Sequence, residues 1–240
     1  MSFARGISLF LVVLTVFFLV QTAVFVRYCV AGSETLRDLS WTEVLQDPML
    51  YQVMQEMTMN GDAVSAASFW SGAVGLVVLL VLVVLWRGTA WKELLGMRLP
   101  RPKAFLVWLG VFMLLALAVE GLAYLSPAFR TDFMGLIVGS ATDRWMLFLG
   151  IGIMPALFEE ALIRGLLMGS LRFITHEHLV VAVSAGVFAL MHLQYAPMIM
   201  LLVLAMGVVL GYARTRTASL WVPIILHMLN NVLSLAFAEA

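Results

Sequence analysis

Stretches of about twenty consecutive apolar residues recur along this chain, and no other feature constrains its fold as strongly. A helix rises about 1.5 Å per residue, so about 20 residues cross the roughly 30 Å hydrocarbon layer of a bilayer. Runs of that length, or slightly shorter, occupy Ile7–Tyr28, Ala67–Trp86, Ala104–Leu125 and Trp145–Met168. A longer stretch, Leu179–Ala213, is interrupted at Gln194-Tyr195-Ala196-Pro197, because proline disfavours helix in the residue before it. It divides into Leu179–Leu193 and Pro197–Tyr212. The last run is Ser219–Phe237, with Pro223 in its first turn, where a missing N–H is tolerated. The expected fold is an all-α, polytopic membrane bundle of about seven spans. Only 12% of the residues are charged, about half the usual fraction, which leaves little chain for a soluble domain.

Charge sets an expected orientation. Arg5, the cluster Arg87, Lys92, Arg98, Arg101 and Lys103, then Arg172, Arg214 and Arg216 fall on one side of a seven-span alternation. Glu34, Asp38, Glu43, Asp47, Glu56, Asp62, Asp132 and Asp143 fall on the other. Lys and Arg concentrate in cytoplasmic loops, so the N-terminus is expected inside and the C-terminus outside, in a bacterial inner membrane. The first run is too long for a signal-peptide core and is expected to be retained. Net charge is zero, which gives no reason to expect a nucleic-acid partner. Cys29 is the only cysteine, which excludes an internal disulfide and a cysteine metal cluster. The apolar spacing in 32–65 suits short amphipathic helices at the outer interface, or a loop with some buried hydrophobes. Pro127–Asp143 is a second candidate interfacial piece. Arg98-Leu99-Pro100-Arg101-Pro102-Lys103 reads as a stiff basic turn that fixes topology or meets anionic lipid.

The polar residues inside the apolar runs are few. Glu159, Glu160 and Arg164 lie within Trp145–Met168, although ionisable groups in hydrocarbon cost roughly 2.5–3.5 kcal/mol each on insertion scales. At about 100° per residue, Glu160 and Arg164 share a face one turn apart, while Glu159 points elsewhere. Of the four histidines, His176 and His178 sit in a connecting loop, whereas His192 and His227 lie within apolar runs. Asn231 follows His227 by one turn. Counting rise from the inner helix ends puts Glu159 about 15 Å deep, His192 about 20 Å, His227 about 12 Å and Asn231 about 18 Å. Polar groups at one level in hydrocarbon favour meeting one another.

Such a set carries the parts for water attack on an amide. A carboxylate beside a neutral imidazole can take a proton from water, and amide or imidazole N–H groups can stabilise a developing oxyanion. The same side chains allow a zinc reading, with Glu159, His192 and His227 as ligands and one open position. The helix spelling His-Glu-x-x-His is absent from the chain, and the metal-free alternative is preferred. A third alternative is a non-enzymatic immunity or transport protein whose buried charges form a pathway. Gly207 and Gly211 form a small-xxx-small face suited to helix packing.

Glu159-Glu160-x-x-x-Arg164, Phe188-x-x-x-His192 and His227-x-x-x-Asn231, in that order on successive apolar segments, resemble the CPBP family. That family includes the type II CAAX prenyl endopeptidases and their Abi-family relatives, which are glutamate-dependent intramembrane proteases. The resemblance covers about Trp145 to Phe237, dividing the chain into an N-terminal part, 1–144, and a catalytic core, 145–240. It implies that Glu159 and His192 activate water, that His227 and Asn231 form the oxyanion site, and that Glu160 and Arg164 support it. It implies no cofactor, and a membrane-associated protein or peptide substrate met at the lipid bilayer. Oligomeric state and substrate identity are not encoded in these motifs.

Overall fold

The computed structural model describes residues 2–238, which form helices and turns with no strand among them. The helices are α1 (Ser2–Gly32), α2 (Trp41–Val44), α3 (Pro48–Met57), α4 (Gly61–Arg87), α5 (Trp91–Leu95), α6 (Pro102–Leu125) and α7 (Phe133–Ser140). They continue as α8 (Arg144–Leu171), α9 (Glu177–Leu190), α10 (Pro197–Thr217) and α11 (Trp221–Ala238). Six of them, α1, α4, α6, α8, α10 and α11, are long and apolar enough to cross a membrane. Large apolar side chains such as Phe18, Leu19, Val77, Leu85, Leu114 and Leu117 stay exposed, as a lipid-facing surface requires. The chain is an integral membrane protein.

Two differences from the sequence expectation concern the fifth run. It was expected to reach Leu193, but α9 ends at Leu190, and its 14 residues span only about 21 Å at helical rise. The chain turns at once after it, with His192 N–H bonded to Ala189 O and Tyr195 N–H to His192 O. His192 therefore lies in the turn beyond α9, and not inside the helix. The 32–65 segment does form short helices. Asp47 caps α3 by accepting from Met49 N–H at 2.8 Å, and Pro48 opens it, a combination that fixes a helix start.

The chain divides into two compact units that interleave along the sequence. One comprises 1–13, 76–131 and 156–230. Its core joins α6, α10 and α11 through Phe112, Leu210, Ala213, Val222 and Leu226. The other comprises 14–75, 132–155 and 231–240. Its core gathers Ile137, Val138, Ala141, Leu147 and Leu235. There the Asp62 carboxylate, at the start of α4, accepts from the N–H groups of Thr142 and Asp143 at 2.9 and 3.0 Å and from the Thr142 hydroxyl. Those bonds tie down the turn that leads into α8.

α8 is not uniformly α-helical. Its segments Phe148–Ile153 and Glu160–Leu167 wind as π-helix. A π turn closes its hydrogen bonds one residue further along and is rare outside single-turn bulges, which cluster at functional sites. The second wide segment begins on the paired carboxylates.

Candidate active site

The one-turn spacing of Glu160 and Arg164 is realised as a buried ion pair. Arg164 Nη1 donates to Glu160 Oε1 at 3.0 Å, and both side chains are fully buried. Arg164 Nη2 donates to Gly207 O on α10 at 3.1 Å. The guanidinium lies 4.4 Å from the ring centre of Phe188, a cation–π contact strengthened by desolvation. A buried charge needs such saturation, because removing it from water costs several kcal/mol.

The same Glu160 oxygen accepts from His227 Nδ1 at 3.0 Å. His227 is buried, and its ring packs edge-on against Phe188 at 5.5 Å. On another side of Phe188 is the His192 ring, at 4.8 Å. One aromatic side chain thus touches Arg164, His192 and His227. His192 Nδ1 is 2.8 Å from Phe188 O. A carbonyl only accepts, so Nδ1 carries the proton there and Nε2 of the neutral ring is left with a free lone pair. Tyr195 stacks on His192, with centroids 6.1 Å apart and planes 12° apart.

Glu159 is half-buried, and its Oε2 has no hydrogen-bond partner among the described residues. Its charge acts on both Arg164 and Tyr195. Tyr195 belongs to the link between α9 and α10, where burial, followed by the charge of Glu159, pushes its phenol up to about 12. It remains a neutral O–H group across the physiological range. Glu160 Oε2 and Arg164 Nε are also buried without a partner among the described residues. Buried polar atoms of this kind call for water or a ligand group to complete their bonding.

The first compact unit therefore brings Glu160, Arg164, His227 and His192 around Phe188, with Glu159 and Tyr195 beside them. Asn231 belongs to the second unit, where its amide Nδ2 donates to Ile151 O at 3.1 Å. A cavity of about 630 Å³ is lined by Gly135, Val138, Phe148, Val232 and Leu235 among others, and by none of the predicted site residues. Among the described residues no three His, Cys, Asp or Glu side chains are grouped so as to hold a metal ion.

Sequence reasoning missed Tyr195 and the Gly207 carbonyl. The tyrosine is next to a helix break and reads as a loop residue. The glycine was identified only as a packing position. Its packing role is what exposes its carbonyl to Arg164. A Cβ at Gly207 would lie 3.1–3.3 Å from Ala185 and the Phe188 ring. Gly207→Ala is expected to destabilise by about 1–3 kcal/mol through overpacking, seen as a lowered unfolding midpoint in detergent. Activity should fall with it, because Phe188 must shift.

Comparison with known families agrees with the resemblance read from the motifs. Residues 140–233, about two fifths of the chain, match the family described as type II CAAX prenyl endopeptidase Rce1-like. That segment contains Glu159, Glu160, Arg164, Phe188, His192, His227 and Asn231. The match supports a likeness of this segment to the CPBP, or CAAX protease, family. No curated protein and no solved structure matches the chain.

Proposed function

We propose that the protein is an intramembrane endopeptidase that hydrolyses a peptide bond of a membrane-associated protein or peptide without a bound metal. The observation that carries this reading is the asymmetry of the adjacent glutamates. Glu160 is committed to Arg164 and His227, whereas Glu159 keeps a buried oxygen free and acts by its charge on Tyr195, which stacks on His192. In this reading Glu159 takes a proton from a water that His192 Nε2 orients, and the water oxygen attacks the scissile carbonyl carbon. The carbonyl oxygen becomes an oxyanion. As the carbonyl re-forms, the C–N bond breaks and Glu159 passes its proton to the departing amine.

His227 is the proposed donor to the oxyanion. With Nδ1–H held on Glu160, it can donate from Nε2 only if the ring carries both protons. Arg164 and an imidazolium at His227 then balance Glu159 and Glu160 in charge. Asn231, one turn further along α11, is proposed as the second donor on the family resemblance alone. The basic side of the chain supports an N-terminus on the cytoplasmic side of the membrane.

The test is comparative peptidomics of membranes expressing the protein or its Glu159→Ala variant. New protein or peptide ends that depend on Glu159 are expected, and identical end profiles would defeat the proposal. Added chelator is expected to leave the cleavage rate unchanged. Loss of cleavage with chelator and its return with zinc would favour a metallopeptidase.

A further inference from the structure

We infer that one end of the first compact unit is a binding site for a phosphate-bearing anion, built by Arg87, Arg98, Arg172 and Arg214. The anchor is Arg214, in the last turn of α10. It is only 7% exposed, yet its Nε has no hydrogen-bond partner among the described residues. Its guanidinium packs against Gly96, where a Cβ would overlap it. Gly96 has φ of 74° and ends α5 in the left-handed region, so a side chain there is disfavoured on two counts. Gly96 O accepts from both Arg98 N–H and Leu220 N–H, at 2.8 Å each, and Ser219 Oγ donates to Arg98 O. The turn carrying Arg98 is thereby pinned beside Arg214.

The charges that act on Arg214 are those of Arg98 and Arg172, both of its own sign. Glu177, in the first turn of α9, is already engaged by Arg216 at 2.9 Å and by the Thr215 hydroxyl at 2.7 Å. Arg172 lies on the ring of Phe173 at 5.6 Å, and Arg87 lies on the same ring at 5.9 Å. Arg87 Nε is also buried without a partner among the described residues. Arg87 ends α4, Arg172 follows α8, and Arg214 is in the last turn of α10. Helix C-termini favour cations, but a dipole does not explain a buried guanidinium whose Nε is unfilled and whose interacting charges, Arg172 and Arg98, share its sign. Guanidinium forks match phosphate oxygens bidentately. The ends of three long membrane helices also put the cluster at the level of lipid headgroups. The ligand is therefore a phosphate anion, supplied by an anionic lipid or by free phosphate.

The test uses the full chain in dodecyl maltoside micelles at fixed ionic strength, reading the thermal unfolding midpoint. Phosphatidylglycerol is expected to raise the midpoint saturably and phosphatidylcholine to leave it unchanged. Inorganic phosphate matching the effect would assign the site to a soluble phosphate; its failure to do so would assign it to lipid. Arg98 and Arg172 are exposed, so Arg98→Gln/Arg172→Gln keeps the fold. It should raise the half-saturating concentration about fivefold for each charge removed. Arg214→Gln should raise the midpoint in plain micelles, by removing an uncompensated charge, and abolish the response. No saturable response to either anion in the parent protein would overturn the inference. So would an undiminished response in the double variant, or an Arg214→Gln midpoint below the parent's in plain micelles.

Discussion

Glu159→Gln is expected to lower cleavage by about 10²–10⁴-fold, the usual contribution of a positioned general base, while leaving the unfolding midpoint nearly unchanged. The two halves of that expectation have one cause. The carboxylate is half-buried, with an oxygen that no described residue bonds. Such a group makes little direct bonding contribution to the fold, and Gln keeps its shape. The measurement pairs turnover of a membrane peptide substrate with a thermal scan of the same preparation. Full turnover in Glu159→Gln would exclude Glu159 as the base of the reaction. Lost activity together with a large loss of stability would return Glu159 to the role of a packing charge.

The second large effect has the opposite signature. Glu160→Gln removes the carboxylate bonded to the fully buried Arg164 guanidinium, leaving it the Gly207 carbonyl, the Phe188 face and the charge of Glu159. Breaking one side of a buried pair costs about 3–5 kcal/mol, on the order of 10 °C in midpoint for a chain of this size. Arg164→Met leaves Glu160 with His227 as its only bonded side-chain partner among the described residues. The double variant Glu160→Gln/Arg164→Met is expected to recover a substantial part of the loss, because neither charge is then left alone. A strictly additive double variant would show that the pair is not coupled. Cleavage should fall in all three, since His227 Nδ1 also rests on Glu160 Oε1. These variants and Glu159→Gln separate positions that adjoin in sequence.

What the sequence made legible follows from the range of each interaction. Hydropathy located the long spans, because crossing a bilayer demands a continuous apolar run. The Glu160–Arg164 pair could be read from a one-turn spacing, and the break before Pro197 from a steric rule. The His227–Glu160 bond could not be read that way: 67 positions separate its partners, and no local pattern encodes which buried histidine meets which carboxylate. The early end of α9 was hidden because Met191 and Leu193 continue the apolar run after the helix has stopped. The wide turns of α8 were hidden for a related reason, since hydropathy reports burial and is blind to which carbonyl an N–H selects.

Those wide turns have a consequence for how this stretch tolerates change. The winding over Glu160–Leu167 accommodates one residue more than an α-helix would in the same rise. Deleting a single apolar residue there, Leu162 for example, is the shortest route back to regular winding. It would shorten the Glu160–Arg164 spacing from four residues to three, changing the phase of two side chains that now meet at 3.0 Å. Point replacements among Leu162, Ile163 and Leu166 leave that phase intact. Spacing, more than residue identity, is therefore what this part of the chain must preserve, and one-residue length variants here should fail where apolar exchanges succeed.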